Sequence, residues 1–196
     1  MFCDNLGTGE TTNIHWPEFE PLRRYEKRQT VSSEIHDAEC LMLSLHPGVM
    51  DNCAIKNRNS VFNSIKKYVE VPIHIFDEDE FTRLRLISAM HELKLLANGG
   101  KRSRLLIVGA YLEDEVTVCA LEALAEGFDV YLLDDLIVAR SLDIRYVSIN
   151  RLTQAGAVQS TIRQMLFHWK LATEDASRSA ALTNLILEYD QSQPHK

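Results

Sequence analysis

Three groups of residues in this chain have the types and spacing to do chemistry. The first is Tyr111, Glu113, Asp114 and Glu115, which follow Gly109 at the end of an apolar run. A carboxylate at a helix start there could act as a general acid or base, or ligate a metal together with His46 and Glu113. The plainer reading of Glu115, a charge that complements the helix dipole and is worth roughly 0.3–1 kcal/mol, is the preferred one. The second group is Ser44 and His46, at the end of another apolar run. A polar side chain at a buried strand end is ordinarily hydrogen-bonded structure. The third is the acidic run 77–80, which reads as a solvated helix start because acids favour the first turn.

The remaining chemistry-bearing residues point nowhere specific. Cys3, Cys40, Cys53 and Cys119 form no CxxC pair, and Cys40 and Cys119 lie in apolar segments as small buried hydrophobes. There is no Gly-rich phosphate loop, Ser-based nucleophile elbow or HExxH. No cofactor and no metal are expected.

These groups need elements to hold them. Residues 105–108 (LLIV) form an unbroken apolar run ended by Gly109, as in a strand buried on both faces. From Val116 the period becomes helical, with Ala120, Ala123 and Leu124 on one face, until Gly127 supplies a left-handed cap. Residues 130–133 start a second buried strand, closed by Asp134 and Asp135. This is one strand–helix–strand unit. Around it, residues 39–45 and 71–76 read as strands, the latter despite Pro72, with a short strand beginning at Ala157 and Val158. Helices are predicted over 57–68, 81–97, 144–154, 162–169 and 176–189, with Ile149 and Leu152 inward in the third.

The 104–139 stretch resembles the isochorismatase-like cysteine hydrolases. Gly109, Val116, Ala120, Leu121, Gly127, Phe128, Val130 and Asp135 fall in register with that family's strand, turn, helix and strand, and residues 151–167 resemble its closing strand and Thr-rich turn. The resemblance covers about a third of the chain. It implies a nucleophilic Cys after the Gly, an Asp at the end of the first strand as general base, and a Lys between the second strand and the following helix. In this sequence the nucleophile position falls on Glu115, and no Lys lies in 77–82. The best register puts Ser44 at the Asp position and His46 at the family's Gln, while a shift of one or two residues puts Leu45 or His46 at the Asp position; none of them is a carboxylate.

A length of 196 residues suggests one domain, and 45% hydrophobic content allows a sizeable core. A net charge of −7 argues against nucleic acid and anionic membranes as partners. No signal peptide or run of roughly 20 apolar residues is visible, so a soluble cytoplasmic protein is expected. The expected organisation is an extended arm (1–36) carrying Trp16, Phe19, Leu22 and Tyr25, an isochorismatase-like domain (37–190) and a tail (191–196). The expected fold is a three-layer α/β/α sandwich, Rossmann-like, with a mostly parallel sheet of five or six strands.

Two functions remain open. One is a catalytically inactive isochorismatase-like protein, a pseudoenzyme acting by ligand binding or protein–protein association. The other is a divergent small-molecule hydrolase, of isochorismate or amide type, rebuilt around Glu115. Ser44, His46, Tyr111, Glu113 and Glu115 are the ligand-pocket candidates. The partners expected are a second copy of the chain, in a homodimer or higher homo-oligomer, and a small molecule. The apolar face of 176–189 and the aromatic arm motivate the homo-oligomer.

Overall fold

The two apolar runs at 41–43 and 105–108 lie side by side at the heart of one sheet. The computed structural model describes residues 35–45, 65, 71–76, 82–97, 99 and 101–192. Five strands, β1 (Cys40–Leu45), β2 (Ile73–Phe76), β3 (Arg104–Gly109), β4 (Asp129–Ile137) and β5 (Val158–Ser160), pair in the order β2-β1-β3-β4-β5. Every pairing is parallel. β1 and β3 are buried on both faces along their whole length, which is why their sequences run apolar without alternation.

Helices cover both faces. On one side α1 (Arg83–Leu96), α2 (Thr117–Ala125) and α3 (Leu142–Gln154) bury Leu93, Ala120, Ile149 and Leu152 against Leu43, Leu105 and Leu132. On the other, α4 (Ile162–Ala172) and α5 (Ala176–Ser192) bury Met165, Trp169, Leu185 and Tyr189 against Met42, Leu106 and Leu133. Each buried Leu, Ile or Met side chain among them contributes roughly 1.5–3 kcal/mol relative to exposure. The result is the three-layer sandwich expected, with five strands.

Side-chain caps set the helix starts. Thr82, Ser141 and Thr161 accept from the third residue onward, and Thr161 with Gln164 completes a capping box. Gly127 takes φ +92 after α2, as its position predicts.

Several boundaries differ from the sequence reading, each for a visible reason. β4 runs on through Asp134 and Asp135 to Ile137. Asp135 can stay in a buried strand because it accepts from the Ile162 N–H and the Tyr189 hydroxyl, while Asp134 pairs with Arg145. β2 begins at Ile73, since Pro72 has no N–H; its carbonyl still accepts from the Met42 N–H at 2.9 Å. Glu39, the first residue of the predicted 39–45 strand, instead ends a 3₁₀ turn, Asp37–Glu39, and β1 begins at Cys40. α5 extends to Ser192, into the expected tail.

One correction bears on function. The apolar face of α5, taken as a surface for a second subunit, is covered within the chain: Leu182, Leu185, Ile186 and Tyr189 all lie in the core beneath it. The aromatic arm, the acidic run 77–80 and most of the predicted 57–68 helix fall outside the described residues.

Candidate functional site

The sheet order places the site. Between β1 and β3 the order reverses, with β2 to one side and β4 and β5 to the other. In parallel sheets of this kind, ligands bind beyond the carboxyl ends of the strands at such a reversal. Here those ends are Leu45 and Gly109, and the Ala110 N–H donates to the Leu45 carbonyl at 3.1 Å. Gly109 has φ +120, and a Cβ there would sit 1.8 Å from the Leu45 oxygen. Only glycine fits.

The chain then crosses a cis Ala110–Tyr111 peptide and forms one π-helical turn, Leu112–Val116, before α2. Leu112 and Val116 bury themselves, and Glu113, Asp114 and Glu115 occupy the more exposed positions between them. The Leu112 N–H donates to the Val138 carbonyl at 2.8 Å, and the Thr117 hydroxyl to the Leu112 carbonyl at 2.5 Å. Glu115 folds back so that its Oε2 accepts from the Tyr111 N–H at 3.1 Å.

Arg140 closes the turn from the far side. Its backbone N–H and guanidinium both donate to Glu113 Oε1, at 3.1 and 3.0 Å, and the guanidinium donates to Asp114 Oδ2 at 2.5 Å. The same group lies 4.3 Å from the centre of the Tyr111 ring, a cation–π contact. Tyr111, Glu113 and Glu115 thus share one turn. Arg140, which the sequence reading passed over, is the common partner of Tyr111, Glu113 and Asp114. The signal available for it was three consecutive acids that require a nearby cation.

Ser44 is placed differently. It is fully buried, and its hydroxyl has no hydrogen-bond partner among the described residues. It pairs in register with Val108, so its side chain shares the face of Met42 and Val108, under α4 and α5. The π-turn leads instead into α2 on the opposite face. No hydrogen bond joins Ser44 to Glu115, and His46 lies outside the described residues.

Among the described residues, no three His, Cys, Asp or Glu side chains are grouped to hold a metal ion. The described thiols are poor nucleophiles. Burial pushes Cys119 up to about 12, with the charges of Glu115 and Glu122 adding to the effect. Burial likewise pushes Cys40 up to about 12. What the turn can do is present an arginine-clamped acidic and aromatic surface at the sheet's carboxyl end.

Comparison with solved structures places this architecture. The YcaC gene product from Escherichia coli, described as an octameric hydrolase of unknown specificity, aligns with a TM-score of 0.62 at 18% identity, covering 84% of this chain and 100% of its own. The MAR1 ribonuclease from Caenorhabditis elegans gives a TM-score of 0.62 at 13% identity, covering 79% and 93%. This chain has the isochorismatase-like fold. YcaC from Pseudomonas aeruginosa, whose structure carries a covalent acrylamide, aligns at a TM-score of 0.52 and 17% identity, covering 82% and 99%. At these identities the likeness concerns the isochorismatase-like fold alone. No protein-family model matches the sequence, and no curated protein matches it. No helix among the described residues is long and apolar enough to cross a membrane.

Proposed function

We propose that this protein is a non-catalytic variant of the isochorismatase-like fold, acting through association with copies of itself and through ligand binding at the carboxyl end of its sheet. One observation carries the reading. At the position where the resemblance expects a cysteine nucleophile stands Glu115, and its carboxylate is held by the Tyr111 N–H at 3.1 Å. The nearest thiol in sequence, Cys119, is buried and protonated. Ser44, at the position of the expected acid, carries no titratable group. Self-association is supported by the octameric state given for the E. coli neighbour. The surface around Tyr111 is the place offered to a small ligand, with the half-buried ring for stacking.

The test is an assay of the purified chain against isochorismate and a panel of amides, beside Glu115→Gln. Absence of turnover in both supports the reading. Turnover in the wild type that disappears in Glu115→Gln, with the circular dichroism spectrum intact, overturns it in favour of a rebuilt hydrolase.

A further inference from the structure

We infer that the outward face of α3 is a self-association surface for a second copy of this chain, closed by reciprocal Asp143–Arg151 ion pairs about a two-fold axis at Val147. This deepens the self-association reading above and rests on it. Its starting point is an anomaly of burial. α3 packs on the sheet through Ile149 and Leu152, yet Leu142 is 83% exposed, Tyr146 71% and Val147 65%. Among the described residues, Leu142 and Tyr146 are the two most exposed large apolar side chains. Both border a hollow of about 230 Å³, which Asn150 and Gln159 also line beside the edge strand β5. Val158 of that strand is itself exposed. Single exposed apolar residues are ordinary; a contiguous set on one element marks an interaction surface.

Charge says which partner. Asp143, Val147 and Arg151 are spaced four residues apart, so they fall on one helical stripe, with the acid and the base each about 6 Å along the axis from Val147. Turning the helix by 180° about an axis through Val147 lays Asp143 of one copy on Arg151 of the other, twice. An isologous interface has this property: its surface complements itself. Asp143 and Arg151 are both exposed, and neither forms an ion pair within the described residues. Their positions at the two ends of α3 also suit the helix dipole, which accounts for the charges. It does not account for Leu142, Tyr146 and Val147 lying bare between and beside them.

The experiment is sedimentation equilibrium on the full chain at micromolar concentration, with Asp143→Arg, Arg151→Asp, the two together, and Val147→Asp. Thermal melts confirm that each variant is folded. The wild type is expected to self-associate. Each single reversal sets like charges together and should weaken association by about tenfold. The double reversal restores it to within a few-fold, although it forfeits the dipole terms and so melts lower. Val147→Asp, which sets its carboxylate against its own symmetry mate across the axis, should leave monomers. Self-association unchanged in Val147→Asp and in both single reversals overturns this interface and leaves the broader reading standing. A monomeric wild type overturns both.

Discussion

Tyr111 and Glu115 face each other across a single helical turn, the backbone N–H of one donating to the carboxylate of the other at 3.1 Å. This bond makes the Glu115 carboxylate a structural acceptor. It also predicts how substitutions there behave. Glu115→Gln keeps an oxygen for the Tyr111 N–H and should change stability by less than about 1 kcal/mol. Glu115→Ala removes the acceptor and should destabilise by roughly 1–2 kcal/mol, measured by urea denaturation. Equal losses in the two would show that this hydrogen bond is not what holds the turn.

Glu115→Cys should not create a hydrolase. A thiol at the helix start would gain some stabilisation of its anion, but on the proposed reading Ser44 stands where the resemblance expects the acid that carries the proton. Ser44 is buried on the face away from α2. Members of such a constellation act as a unit, so restoring one alone recovers little. Amide or isochorismate turnover above the wild-type background in this variant would refute the argument.

Gly109 and Gly127 both take positive φ, yet they should respond very differently to alanine. At Gly127 nothing lies within 4 Å of the added Cβ, so the cost is conformational, about 1 kcal/mol. At Gly109 the Cβ would meet the Leu45 carbonyl oxygen at 1.8 Å. β1 and β3 would have to part at the centre of the sheet, and Gly109→Ala should cost several kcal/mol or abolish soluble expression. Similar melting temperatures for the two variants would contradict this geometry.

Asp135 ties two layers together. Its carboxylate accepts from the Ile162 N–H at 3.1 and 3.2 Å and from the Tyr189 hydroxyl at 2.8 Å. Tyr189→Phe should therefore cost about 1.5–3 kcal/mol, as for a hydrogen bond to a charged group. Asp135→Ala, which orphans both donors, should cost more. A double-mutant cycle on the pair should give a coupling energy clearly above zero; additive effects would mean that the contact contributes nothing.

Cys40 and Cys119 should resist alkylation in the native state and react once the chain unfolds. Burial holds both thiols neutral, raising each from an ordinary value of 9.0 to about 12. The sign follows. Below pH 9 both states keep the proton and the contribution is fully present; between 9 and 12 only the unfolded chain ionises, so stability falls as pH rises. Denaturation midpoints should decline over that range, and replacing both residues with Ala should flatten this part of the profile. A profile unchanged by the replacements would mean that these thiols titrate alike in both states.

Much of the scaffold was legible in the chain itself, because burial on both faces of a parallel sheet leaves its mark as unbroken apolar runs. The runs at 105–108 and 130–133, the helical period after Val116, the Gly127 cap and the inward Ile149 and Leu152 all stand where those local patterns predict. The resemblance carried by Gly109, Gly127 and Asp135 pointed to the right fold. Local patterns stop at the edge of an element. They show that α5 has an apolar face, and not that α4 and the sheet of the same chain cover it. They place Asp134 and Asp135 as strand breakers, because the partners that let β4 continue come from distant sequence, Tyr189 from 54 residues away. Arg140 meets Glu113 across 27 residues, a contact that no periodicity encodes. The resemblance groups Ser44 and Glu115 as pocket residues through the family positions that it assigns them. Tertiary packing sent one beneath α4 and α5 and the other to the turn above α2, since strand alternation and helix placement together decide on which face a side chain finishes.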